Sequence, residues 1–255
     1  MRIAYDIIGD KDKSVILIGV NTKSPRKAAR EIMKRHKNVR SVLKKLAERK
    51  DTFRLYPCKL ILGDKNTEVV HKEHGYLVKV DPLKVFFSPR EATERQRVAE
   101  MVRPNERVLI MFSGAAPYAL AIGKKCKDCE ITCIEINPKG YEYAQKNLKL
   151  NKVKNVRNIC ADVRKVRNIG KFDRMIMPLV ETAIDFFDEA FLHSKKGTII
   201  HLYGLSKDSE NFKDLEKRVD ELAKMYNVRY KIVGRQKVLP YAPHVMKVRL
   251  DIKIL

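Results

Sequence analysis

The feature that most constrains the fold lies after Pro104, where strand-like and helix-like segments alternate. Residues 107–111, 131–136, 155–160, 174–177 and 198–202 are apolar, strand-like runs. Helical spacing occupies 118–125, 138–150 and 182–193 between them, and 209–226 after the fifth. Residues 229–233 and 245–254 end the chain as two further strands. Alternation of this kind predicts an α/β fold with a mostly parallel, doubly wound sheet. Ligands of such sheets bind outside the carboxyl ends of the strands, near the topological switch point.

The part before Pro104 has another rhythm. Residues 3–8, 14–18, 60–62, 68–71 and 76–80 read as short strands, with turns at Gly63-Asp64 and His74-Gly75. Residues 24–35 read as a helix, with Ser24 as N-cap and Pro25 at the first helical position. Residues 88–101 form a second helix entered through Ser88-Pro89. The expected organisation is a small α+β domain over 1–84, then a larger α/β domain over 85–255 that includes the linking helix.

Charge narrows the class of partner. The chain carries 54 Lys plus Arg against 31 Asp plus Glu, a formal net charge of +23. Residues 21–50 alone hold twelve basic residues and two acidic ones, Glu31 and Glu48. Apolar residues from Ala28 to Leu46 recur there at roughly helical intervals, so this is a segment that can fold. Residues 1–103 are net +12 and residues 104–255 net +11, so both halves are basic. One polyanion bridging two domains fits better than a basic tail, and nucleic acid is the first candidate. No run of about 18 apolar residues suggests a membrane span. The opening MRIAYDIIGD lacks a signal-peptide core, so the cytoplasm is the expected compartment and a monomer the expected state. Five cysteines argue against a secreted disulfide framework. Cys126 and Cys129 form a C-x-x-C, but no second pair follows with zinc-site spacing, so helix-end and strand cysteines are expected and no metal.

Three successive strand ends suggest a cofactor. The first is followed by Phe112-Ser113-Gly114-Ala115-Ala116-Pro117, and Gly114 would let a ligand approach the backbone. The second ends in Glu135-Ile136, where a carboxylate can accept from two ribose hydroxyls. The third is followed by Asp162-Val163, where an acid can accept from an adenine amino group. No third glycine serves a pyrophosphate, which favours S-adenosylmethionine over a dinucleotide.

Motifs in order along nearly the whole chain resemble one family. They are Tyr5-Asp6-Ile7-Ile8-Gly9-Asp10, the His36–Leu43 stretch, Phe53-Arg54, the Thr67–Gly75 stretch, and Phe87-Ser88-Pro89-Arg90-Glu91-Ala92-Thr93-Glu94-Arg95. Asp173-Arg174-Met175-Ile176-Met177 and Tyr241-Ala242-Pro243 complete the set. The sequence resembles the archaeal tRNA guanine-37 N1-methyltransferases and their relatives in wybutosine synthesis. The resemblance implies a class I, Rossmann-like methyltransferase domain with a seven-stranded sheet, and a small domain that helps hold the anticodon stem-loop of tRNA. It implies Glu94 as the general base for guanine N1 and Arg54 beside the charge developing on O6. It implies Phe86, Arg90, Phe112, Ser113, Gly114, Glu135, Ile136, Asp162, Val163 and Pro178 at the cofactor. Arg90, Arg95 and Pro178 are expected at the RNA. Tyr203 and Tyr241 could stack on the base or pack the sheet edge.

The chain departs from the family at Ile110 (usually Asp), Ala116 (Gly), Phe86 (Tyr) and Pro178-Leu179-Val180 (Asn-Leu-Pro). Many relatives also carry an additional N-terminal domain. Two other readings stay open. One is a wybutosine-pathway enzyme transferring a methyl or 3-amino-3-carboxypropyl group to a modified G37. The other is a non-catalytic RNA-binding protein on a methyltransferase scaffold. Glu94 and Arg90, four apart on a helix, could also be an ordinary surface ion pair.

Overall fold

A computed structural model describes residues 4–49 and 52–255. Strands β1 (Tyr5–Gly9), β2 (Ser14–Ile18), β3 (Val39–Lys45) and β4 (Cys58–Gly63) form a four-stranded sheet in that order. Helix α1 (Pro25–Arg35) makes the crossover from β2 to the parallel β3. Strand β2 is buried along its whole length and apolar from Val15 to Ile18, because both its faces are covered. Ile16 and Ile18 pack with Ala29 and Ile32 of α1, while Val15 and Leu17 join the core shared with the rest of the chain.

A hairpin of β5 (Val69–Glu73) and β6 (Tyr76–Val80) follows. A 3-10 turn (Pro89–Glu91) then leads into α2 (Ala92–Met101). The second sheet contains β7 (Arg107–Met111), β8 (Glu130–Glu135), β9 (Val156–Cys160), β10 (Phe172–Met177), β11 (Ser194–Lys207), β12 (Tyr230–Ala242) and β13 (Val245–Ile254). Its order is β12-β13-β11-β10-β7-β8-β9. Strands β7 to β11 pair in parallel, and β13 runs antiparallel to both its neighbours. Helices α3 (Pro117–Lys125), α4 (Pro138–Leu150), α5 (Phe187–Leu192) and α6 (Lys213–Met225) complete the domain. This is the doubly wound, mostly parallel class I methyltransferase architecture, preceded by a small α+β unit. The β5–β6 hairpin is stitched to α4, because Asn151 and Asn147 accept from the amides of Leu77 at 2.8 Å and Lys79 at 2.7 Å.

Several local expectations change. Residues 39–45 continue the basic stretch not as helix but as β3, because pairing with β2 and β4 on both edges outweighs local spacing. Ser24 precedes α1 without a side-chain capping bond. The expected helix at 182–193 is a 3-10 turn (Ala183–Phe186) followed by the short α5. The strand expected at 229–233 runs on to Ala242, through Pro240, which an edge strand tolerates. The strand expected at 68–71 runs over Val69–Glu73, with His71 Nδ1 beside the backbone of Gly9. Cys126 and Cys129 are joined in a disulfide, overturning the expectation of unlinked cysteines. Cys126 ends α3 and the chain turns back at once, bringing the two Cα atoms to 5.7 Å, within disulfide range. No described helix is long and apolar enough to cross a membrane.

Candidate active site

A cavity of about 510 Å³ opens where the strand order reverses, between the small sheet and the carboxyl ends of β7, β8 and β10. Its wall brings together Arg54, Phe86, Arg90, Arg95, Phe112, Ser113, Gly114, Glu135, Ile136, Pro178 and Tyr241 of the residues singled out in the sequence. Asp162, Val163, Tyr203 and Glu94 are not among its lining residues.

The turn after β7 is a sequence of left-handed residues: Phe112 has φ +58°, Gly114 +55° and Ala116 +63°. Only Gly114 takes this conformation without a Cβ penalty. The space where its Cβ would stand is open, with Phe86 O the nearest atom at 3.7 Å. Ala116, in place of the family glycine, keeps the turn by adopting the same backbone conformation. Ile110 is a fully buried core residue in β7, paired across to Cys133 and Ile176.

Glu135 ends β8 and is aimed by backbone. The amides of Gly114 (2.6 Å) and Asn137 (2.8 Å) donate to its two carboxylate oxygens. Burial pushes its carboxyl above the usual range, and those amides pull it back only in part. Asn137 caps α4 by accepting from the Lys139 amide at 2.9 Å. Gly140 keeps this corner tight, since a Cβ there would stand 3.0 Å from Glu135 Cγ. Asp162 has a local role instead of a place in the wall. It caps the turn Val163–Lys165 and bonds the amide and Nε of Arg164.

At the opposite lip, Glu181 gathers three segments. Its carboxylate pairs with Arg54, accepts from Tyr241 Oη, and lies 3.7 Å from Arg49 Nη2. Arg49 also stacks over Phe86 at 4.6 Å, so the ring serves here without the family hydroxyl. Arg90 donates to Pro240 O at 3.1 Å and makes no ion pair with Glu94 among the described residues. Arg95 reaches the wall but not as a free RNA contact. It is 2% exposed, and its guanidinium is committed to Glu73 and to Ser88 O at 2.9 Å.

Glu94 is placed behind the wall, 2% exposed. It accepts from Arg97 at 2.6 Å, from Tyr203 Oη at 2.8 Å and from Arg249. Tyr203 is therefore neither a stacking platform nor a sheet-edge residue but a buried donor. It receives in turn a bond of 3.0 Å from Tyr118 Oη, and Tyr118 does line the cavity. Burial pushes both phenols well above their ordinary range, so both are neutral at working pH.

Sequence reading missed Tyr118, Glu91, Lys247 and Arg249. A usable signal existed. In β13, Lys247, Arg249 and Asp251 alternate with Val248, Leu250 and Ile252 on a strand inside the sheet. Charges at such positions are buried, and buried charges need partners.

Comparison with known proteins agrees with this geometry. The profile of the TRM5/TYW2 methyltransferase domain matches residues 69–233. The tRNA (guanine(37)-N(1))-methyltransferase Trm5b of Pyrococcus abyssi is 34% identical over 98% of this chain and 74% of its own length. The tRNA(Phe) (4-demethylwyosine(37)-C(7)) aminocarboxypropyltransferase of Methanocaldococcus jannaschii is 34% identical over 99% of this chain and 98% of its own. The structure of aTrm5 with tRNALeu superimposes with a TM-score of 0.86 at 31% identity, over 100% of this chain and 73% of that one. Solved relatives hold S-adenosylmethionine or an analogue. With its switch-point cavity, Gly114 turn and Glu135 carboxylate, the chain belongs to the TRM5/TYW2 family of S-adenosylmethionine-dependent tRNA-modifying enzymes.

Proposed function

We propose that the protein methylates N1 of guanine 37 in tRNA, with S-adenosylmethionine as donor. The residues present fit the donor. Gly114 offers an approachable backbone, and Glu135 holds an aimed carboxylate for the ribose hydroxyls. When bound, S-adenosylmethionine supplies an electrophilic methyl on a sulfonium.

The single observation that carries the reading is the hydrogen-bond chain from the cavity wall to a buried carboxylate. Guanine N1 keeps its proton at neutral pH, so its methylation needs an acceptor for that proton. Glu94 fills that role through Tyr118 and Tyr203 rather than by touching the base. As N1 loses its proton to Tyr118 Oη, the Tyr118 proton passes to Tyr203 Oη and the Tyr203 proton to Glu94. The nitrogen keeps the electron pair that bonds the methyl carbon. Concerted transfer of this kind needs no tyrosinate, which suits phenols held neutral by burial. Arg54, at the cavity lip, is the cation for the charge that develops on O6. The anticodon stem-loop would lie across the basic small domain, where α1 and its flanks present Arg26, Lys27, Arg30 and Lys34.

Nucleoside mass spectrometry of a G37 tRNA treated with enzyme and donor tests this. N1-methylguanosine is the expected product. A product only on a tRNA already carrying a wyosine intermediate would replace the reading. The second reading, aminocarboxypropyl transfer, is favoured by Pro178, which stands in the wall without the amide the family uses. It requires a nucleoside heavier by the aminocarboxypropyl group.

Glu135 also sets a pH dependence. Its ionised form accepts both ribose hydroxyls, and its raised pKa means protonation begins above the ordinary carboxylate range. Affinity for S-adenosylhomocysteine should therefore be weaker at an acidic pH than at a neutral one. In Glu135→Gln it should be weaker throughout and level with pH. Calorimetry at both pH values checks this, and a level wild-type affinity would contradict it.

A further inference from the structure

The cavity wall holds one charge pair that the proton chain does not use. Lys247 projects from β13, 2% exposed, with Nζ 4.8 Å from the centre of the Tyr203 ring. Glu91, from the turn before α2, approaches it with Oε1 2.9 Å from Nζ. The angles do not make a hydrogen bond, so the Lys247 ammonium has no hydrogen-bond acceptor among the described residues. The other Glu91 oxygen lies 4.0 Å from Arg95 Nη1, and Arg95 is already bound to Glu73. Both Glu91 and Lys247 line the same cavity as Gly114 and Glu135.

A buried ammonium whose N–H groups lack acceptors is costly, and a ligand that supplies an acceptor removes the cost. The partner cannot be a simple anion, because Glu91 beside it cancels the charge of Lys247. The ligand chemistry that satisfies both groups is a zwitterion with adjacent carboxylate and ammonium. S-adenosylmethionine carries such an end on its amino-acid arm. Its ribose end is already matched to Glu135 in the same cavity.

We infer that Lys247 and Glu91 bind the amino-acid arm of the donor, Lys247 taking the α-carboxylate and Glu91 the α-ammonium. With the adenosyl and amino-acid arms both held by the protein, methyl is the one sulfonium substituent left free to face an acceptor. The assignment rests on the cofactor and not on which base is methylated, so a different nucleoside product leaves it standing.

Calorimetry without RNA tests it, using S-adenosylhomocysteine and 5′-methylthioadenosine, which lacks the amino-acid arm. Wild type should prefer S-adenosylhomocysteine. Lys247→Met should weaken S-adenosylhomocysteine on the order of 10–100-fold, the range of a charge-assisted bond, while methylthioadenosine binds as before. Glu91→Gln should show the same selective loss, and it carries the test if Lys247→Met does not fold. Lys247→Arg should keep most of the preference. The proposal is overturned if both variants bind S-adenosylhomocysteine like wild type. It is equally overturned if they lose both ligands to the same extent, or if wild type shows no preference.

Discussion

Replacing Glu94 by glutamine should lower the single-turnover rate of methyl transfer by roughly 10²–10⁴-fold, the range for loss of a general base. Affinity for tRNA and donor should change far less, because a proton acceptor acts mainly in the transition state. The amide side chain keeps the size and an acceptor oxygen for Tyr203 but can no longer take up a proton. Tyr203→Phe should produce a loss of the same kind, since it cuts the link between Tyr118 and the carboxylate. Tyr118→Phe should follow, and this variant separates a relay from a direct base. If Glu94 acted by touching guanine, removal of the Tyr118 hydroxyl would leave the rate intact. Rapid-quench kinetics at saturating enzyme decide between these outcomes. Raising the pH should partly rescue all three variants, because hydroxide then competes for the N1 proton.

Replacing Glu73 by alanine should destabilise the protein by about 3–5 kcal/mol, the usual cost of leaving a buried charge without its partner. Glu73 binds Arg95 through both carboxylate oxygens and accepts from Tyr76 Oη at 2.8 Å. All three side chains are almost fully buried, and Arg95 also lies over Phe87 at 5.1 Å. Glu73 belongs to the β5–β6 hairpin and Arg95 to α2, so the pair clamps the hairpin beneath the cavity wall. Arg95→Met should cost a similar amount, because it leaves the buried Glu73 carboxylate without its partner. The double variant should recover part of the loss. Urea denaturation of the four proteins measures the coupling, and an additive double variant would show that the pair is not a clamp. The stem-loop affinity of Arg95→Met should track its stability, because this arginine is held by protein and is not available to phosphate.

The alternation after Pro104 was enough to foresee the second sheet, because strands buried on both faces and helices with one apolar stripe leave few other arrangements. Residues 107–111, 138–150 and 245–254 form elements with the boundaries expected from sequence. The placing of Gly114 and Glu135 in the cavity wall was equally legible. Gly114 and Glu135 act through backbone geometry and strand position, which are local properties. The small domain was harder. Residues 39–45 are basic with apolar residues at ambiguous spacing, and their strand state depends on β2 and β4, which are distant in sequence.

What the sequence by itself determined is the sheet, the switch-point location of the cleft and several of the residues that line it. These follow from periodicity and from short-range turn chemistry. What only the tertiary structure decided is the charge pairing. Glu94 meets Arg249 across 155 residues and Tyr203 across 109, Arg95 meets Glu73, and Lys247 meets Glu91. A buried charge must find a counter-charge, but one-dimensional spacing does not say which. The placing of α2 beside β11 and β13 settles it, putting the expected base behind two tyrosines and an unexpected lysine in the cavity wall.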